Sequence, residues 1–525
     1  MNKIAVRTLL ASWLPSVAML ICALAILYPF CSYYIDPDGT AYLTISQRYA
    51  SGDYSTAING YWSPWSCWLT ALLMKAGLSA VPASWAVNAL GAIGVLCSTL
   101  ILLKQHSIDT FTQKIMQIGL ICFLANAVYI QSFDDLWETF FIVCMLLVAH
   151  QLSQQHKTIY WIEMGVLGAL AYFAKAYALP YFILLSIFIA YTLYKKQKPL
   201  AIKMLLLAWS ICILIAAPWW WLLHQKYGFF TTSTAGSLNL SWYLVGHPLF
   251  KDNIHVFIPP AYAGSPYYWE DPWLANGALP RLWDNSQLFV HQLLKLGYNG
   301  LLFLLSMAQL SLFSLWLLYK ILLLAIRRHQ WRSLPRTQQL LVGAIVLFPS
   351  GYWLINFEAR YLWPIMPLSI VLMLKWLHKS LLPRLGAKYV LGVLLLLSVS
   401  FALYPVYLIR TIWNVGQQEA RIAHHLQSLP EGGFTGNAHP QAMARIAYWW
   451  HHPYYYIAKN EATPAQVSAD AQRWPIQYYL YFKNPLVKRM ANTECLLAGA
   501  TLISQYCYAP QDTVYIYQLK GTFKE

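Results

Sequence analysis

Apolar runs of about 20 residues, each long enough to cross the roughly 30 Å hydrocarbon core of a bilayer, recur along this chain. They leave it one kind of fold, because lipid offers the backbone no hydrogen bonds and only helices or closed barrels can span it. The runs lie near 8–30, 82–103, 115–132, 136–152, 159–174, 178–194, 199–221, 298–323, 337–356, 361–378 and 387–407, about eleven in all. Composition agrees: of 525 residues 58% are hydrophobic and 11% charged, where a soluble chain carries about a quarter charged. The predicted class is an all-α polytopic membrane bundle.

The net charge of +16 does not point to nucleic acid, which needs a basic patch on a soluble surface. The basic residues form short clusters between apolar runs: Lys3/Arg7, Lys104/Lys114, Lys157, Lys195/Lys196/Lys198/Lys203, Arg327/Arg328/Arg332/Arg336 and Lys379/Arg384/Lys388. That is the pattern of cytoplasmic loops. It predicts a cytoplasmic N-terminus and an outward C-terminal region. The first run carries a basic flank, but bulky Tyr28–Tyr33 follows it instead of a small-x-small cleavage site, so it reads as a retained span. The apolar stretch around Ala174-Lys175-Ala176-Tyr177 is split into two spans, since a single span would turn the later basic clusters outward. The first of the two is short, which places Lys175 within the outer membrane boundary.

Four regions then face outward: 31–81, the short loop at 131–138, the aromatic 222–297, and everything beyond about 412. The last has soluble character. Gly433–Asn437 and Val514–Gln518 read as strands and Gln441–Trp449 as a helix, which predicts a small α/β domain at 412–525 behind a membrane domain at 1–411. Ser63–Lys75 reads as a helix lying along the interface. The nine cysteines show no metal-binding spacing. Cys495 and Cys507 fall in the outward region, where they are either a disulfide or two buried thiols.

Acids at a membrane edge are expensive and therefore functional candidates. Asp36 and Asp38, flanking Pro37 after the first span, cannot both point one way on a helix. One suits a general base or metal ligand, and either could simply cap a helix starting near Thr40. Asp134 and Asp135, with Glu138 a turn later, end another span on the same side. Converging acids of this kind either hold a divalent metal through oxygen ligands or raise one another's pKa for proton transfer. Arg360 breaks the inside bias for cations. It needs Glu358 as a structural partner or a phosphate, which its planar fork matches. Lys175 is a second outward cation, either snorkelling or phosphate-binding.

Three segments resemble the GT-C superfamily of integral-membrane glycosyltransferases that use polyprenyl-phosphate sugars, in particular the bacterial protein O-mannosyltransferases and the aminoarabinose transferases acting on lipid A. They are Pro37-Asp38-Gly39-Thr40-Ala41-Tyr42, the Gly-x-x-Gly-x-x-Ala-Tyr-x-x-Lys run from Gly165 to Lys175, and Arg360-Tyr361-Leu362 with Pro364 and Pro367. The resemblance implies that Asp38 activates the acceptor and that Arg360 and Lys175 bind the donor phosphate. The family often has Asp-Glu where this chain has Asp38-Gly39, so Asp36 or the Asp134/Asp135 pair would supply a second acid. The function implied is transfer of a sugar from a polyprenyl-phosphate donor, at the outer face of a bacterial inner membrane, to a protein, lipid or glycan acceptor. A transporter or flippase of lipid-linked glycans is the rival reading, but transporters favour midplane charges and repeated halves, which this sequence does not show.

Overall fold

The computed structural model describes residues 3–130, 134–195, 197–245, 255–275, 279–459, 462–483, 493–510 and 512–519. Ser132 and Phe133 of the second outward loop, Lys196 of a basic cluster, and 246–254 and 276–278 of the third outward region lie outside the described residues.

Among the described residues, nine helices are long and apolar enough to cross a membrane, and three shorter apolar helices stand beside them. The apolar stretch at Lys175 does break into two helices, Thr158–Ala174 and Ala178–Leu193. One predicted span is corrected. The stretch 298–323 is not a single helix but parts of two, Ser286–Leu310 and Phe313–Ile326. Ser311 separates them, with an extended backbone (φ −169°). Its hydroxyl accepts from Phe313 N at 3.2 Å and meets Ser400 Oγ at 2.6 Å. A serine that bonds the backbone locally competes with helix continuation, and an apolar-run count does not register this.

Helix packing is closest where the Thr110–Ile130 and Ala387–Thr411 helices cross. A Cβ on Gly119 would lie 2.0 Å from Ser398 O, so only glycine fits there. The Ser398 hydroxyl accepts from Gly119 N at 2.9 Å and donates to Ile115 O at 2.8 Å. Small residues with hydroxyl bonds between helices are what a bundle in lipid uses in place of a hydrophobic drive.

Outside the bundle lies a four-stranded sheet. Its strands are β2 (Gly433–Gly436), β4 (Ile476–Phe482), β5 (Thr501–Ala509) and β6 (Asp512–Gln518), in the order β2-β4-β6-β5. Only β2 and β4 run parallel. Helices Gln417–Leu426 and Pro440–Trp450 pack with it through Ile422, Leu426, Ile446 and Trp450. Two further strands, β1 (Phe257–Ile258) and β3 (Tyr456–Ile457), pair antiparallel and tie the third outward region to this unit. The sheet does not keep its core to itself. Phe434, Leu480 and Ile516 share one apolar cluster with Ile35, Leu43, Ile45 and Trp62 from the first outward region.

The expectation for Cys495 and Cys507 is corrected on both readings: they form no disulfide, and neither is buried. Cys495 sits in a turn against the Pro464–Ala471 helix, its Sγ 3.5 Å from Pro464 O. Cys507 is exposed on the edge strand β5, opposite Thr513 near the hairpin turn. The hairpin carries the second thiol to the sheet's far edge.

Candidate active site

Asp36 and Asp38 take different jobs because helix geometry separates them. Asp36 is the N-cap of the Pro37–Ser51 helix and its Oδ1 accepts from Gly39 N at 2.7 Å. Pro37 stands in the first turn, where a missing N–H costs nothing, and Gly52 closes the helix in the left-handed region (φ 86°). Asp36 is buried and serves as the helix cap, one of its two readings. Asp38, in the first turn of the helix, projects toward Arg360.

There it meets the Arg-Tyr-Leu motif. Arg360 Nη2 donates to Asp38 Oδ2 at 3.0 Å, while Arg360 Nε donates to Glu358 Oε2 at 2.8 Å. Arg360 Nη1 lies 3.8 Å from Asp135 Oδ2. Asp135 in turn pairs with Lys175, which also sits 3.6 Å from Glu138 Oε2 and over the Tyr361 ring at 4.7 Å. Lys175 can reach this point because its helix has just ended: the residue is extended (φ −153°) and its N–H closes on Ala171 O. Four segments far apart in sequence thus bring Asp38, Asp135, Glu138, Lys175, Glu358 and Arg360 into one chain of ion pairs.

Asp134 stands apart from that chain. It is buried and accepts from Ser66 Oγ at 2.6 Å. Burial pushes its carboxyl up to about 8, against the hydrogen bonds from Ser66 and Tyr42. The metal expectation for Asp134, Asp135 and Glu358 finds no cluster to rest on. Asp135 and Glu358 are engaged by Lys175 and Arg360, and Asp134 faces Ser66. Among the described residues no group of three or more His, Cys, Asp or Glu is placed to hold a metal ion.

A cavity of about 420 Å³ opens beside Arg360 and Glu358 and is otherwise mostly apolar, with Leu302, Leu305, Trp363, Leu408 and Ile412 in its wall. Arg360 set in a mostly apolar wall suits an amphiphile with an anionic head.

Sequence reasoning missed the residues that hold Asp38 from its other side. Trp269 Nε1 donates to Asp38 Oδ1 at 3.2 Å, and Tyr267 Oη donates to Pro37 O at 2.5 Å. Glu270 is fully buried and accepts from Arg48 Nε at 2.5 Å. Burial pushes the Glu270 carboxyl up and the bond to Arg48 pulls it down. Asp271, also buried, pairs with Lys226 at 3.0 Å and accepts from Tyr227 at 2.9 Å and Tyr262 at 2.5 Å. The adjacent acids Glu270-Asp271 in an aromatic loop were the only sequence signal available.

No protein-family model and no curated protein sequence matches the chain. Solved structures do. ArnT from Cupriavidus metallidurans bound to undecaprenyl phosphate is similar with a TM-score of 0.57 and 14% identity, covering 97% of this chain and 98% of that one. The apo state of the same protein gives 0.54 and 14%, with 95% and 97% covered. At this identity the likeness is one of fold: over nearly its whole length, this chain folds as ArnT does.

Proposed function

We propose that this chain is a membrane glycosyltransferase that moves a sugar from a polyprenyl-phosphate donor to an acceptor on the extracytoplasmic side. The observation that carries the reading is the Asp38–Arg360 contact at 3.0 Å, with Arg360 also lining a mostly apolar cavity. A base and a phosphate-matching cation stand side by side where a lipid tail would be housed. The ArnT structure with undecaprenyl phosphate supports the same donor class on the same fold.

In this reading the acceptor's nucleophilic atom gives its proton to Asp38 and attacks the anomeric carbon of the donor sugar. The bond from that carbon to the phosphate oxygen breaks, and the lipid phosphate leaves. Arg360 and Lys175 stabilise the charge that builds on the departing phosphate, the kind of fixed electrostatic help that contributes most where water is excluded. The orientation rests on the charge rule. Asp135 begins a helix of 20 residues, about 30 Å long, and Lys157 follows its other end. That separation supports a reading in which Lys157 is cytoplasmic and Asp135 lies at the opposite face. The donor is lipid-linked for the same reason: soluble nucleotide sugars are on the wrong side. Sugar and acceptor identity belong to groups that the acceptor side of the site selects.

The test is donor turnover by purified protein in detergent, where no second compartment exists. Release of polyprenyl phosphate with the sugar joined to an acceptor is expected. Donor that stays intact there, yet is moved across the membrane in vesicles, makes the protein a transporter and sinks the enzyme reading.

A further inference from the structure

We infer that Trp269 is the positioning residue of Asp38: its indole N–H and the Arg360 guanidinium take one carboxylate oxygen each and so fix the plane in which Asp38 receives the acceptor's proton. The inference rests on the base assignment above.

An ionised carboxylate offers about four lone-pair sites on two oxygens, and the side chain's terminal torsion is broad and roughly two-fold. A single donor leaves the plane free to swing. Here Arg360 holds Oδ2 at 3.0 Å and Trp269 holds Oδ1 at 3.2 Å. Two donors from opposite sides set the plane and still leave lone pairs for an acceptor proton. A base held within about 10–20° of its working geometry is what a preorganised site requires.

Trp269 is itself over-determined. Its carbonyl accepts from Trp62 Nε1 at 2.9 Å, and its ring meets Trp242 edge-on at 4.9 Å and Tyr61 at 5.4 Å. The next residue, Glu270, is anchored on Arg48, which lies on the same helix as Asp38. The residue after that, Asp271, is anchored on Lys226 at the end of the Lys198–Tyr227 helix. On the other flank Tyr454 N donates to Pro266 O at 2.8 Å, from within the sheet unit. A tryptophan needed only for packing would not require two consecutive buried ion pairs directly behind it.

The experiment is a double-mutant cycle read as kcat and donor KM. Trp269→Phe keeps an aromatic ring and removes the N–H. Loss of a hydrogen bond to a charged group predicts a fall in kcat of roughly tenfold to hundredfold, with donor KM unchanged. Added to Asp38→Asn, the same substitution should cost nothing further, because the group it orients is gone. The benzothiophene isostere of tryptophan, with sulfur in place of N–H, guards against misfolding and should reproduce the loss of kcat. Full activity of the isostere overturns the inference. So does an equal loss from Trp269→Phe in both backgrounds, which leaves the base assignment standing. Full activity of Asp38→Asn alone overturns the base assignment and this inference with it.

Discussion

Two charge networks flank the Pro37–Ser51 helix and are built from the same residue types to opposite ends. Near its start, four carboxylates (Asp38, Asp135, Glu138 and Glu358) share two cations, Arg360 and Lys175. Near its end, Glu270, Asp271 and Asp53 share Arg48 and Lys226. The first network is partly open: the Asp38 side chain is 23% exposed and Glu358 39%. In the second, Glu270 and Asp271 are both at 0%, and only Asp53, at 39%, reaches the surface. Hydrogen bonds follow the same division. Tyr227 and Tyr262 both donate to Asp271 Oδ2 and Ser265 to Glu270, so only Asp271 Oδ1 of the buried pair lacks a hydrogen bond, whereas neither oxygen of Glu138 receives any hydrogen bond among the described residues. The more buried and better bonded network braces a loop. The more open one leaves Asp38 and Glu358 within reach of a ligand, and that is the contrast between a brace and a candidate site.

Asp38→Asn should break the comparison most visibly. It keeps the size of the side chain and its place beside Arg360 while removing basicity. Sugar transfer should fall about 10²–10⁴-fold with an unchanged unfolding midpoint, measured on the same purified sample. Arg360→Lys comes next, since a point charge cannot span Asp38 and Glu358 as the fork does. A loss of about 10²–10³-fold in transfer is expected, again with little change in stability. The brace should respond the other way. Glu270→Ala leaves Arg48 buried beside an empty place, a class of change that costs about 3–5 kcal/mol, readable as a lowered midpoint in denaturant. If Glu270→Ala left the midpoint in place, the contrast between the networks would be wrong.

A pH-dependent effect concerns Asp134, whose carboxyl burial raises from 3.8 to about 8. The folded protein then holds a proton that the unfolded chain releases. Stability from this group is complete below about pH 4 and declines as pH rises toward about 8. Asp134→Asn should flatten that decline in a series of melts between those values. A slope that persists in the variant would assign it to another group.

How much of this was readable beforehand depends on the distance over which each feature is decided. Spans and basic clusters are local, so the membrane helices and even the break at Lys175 could be read from apolar length and charge. The strand at Gly433–Gly436 and the helix at Pro440–Trp450 are likewise set by neighbours in sequence. Asp36 and Asp38 were legible as a pair, but their division of labour needed the cap geometry. Trp269 was not legible at all. It is one of 24 tryptophans, and the carboxylate it serves is 231 positions away. The break at Ser311 was hidden for a related reason: its partner, Ser400, lies on another helix.

The apolar cluster shared by the first outward region and the sheet has a consequence for how the molecule is made. The helix that carries Asp38 is among the earliest parts to emerge from a ribosome. The residues that cover it, Phe434, Leu480 and Ile516, come some four hundred positions later, after the membrane helices have been threaded. Until then Ile35, Leu43 and Ile45 have no finished core to enter, and Pro266 lacks its bond from Tyr454. The first outward region is therefore covered last. A chain that stops before the sheet would carry every charged residue of the cluster while leaving that apolar face unpacked.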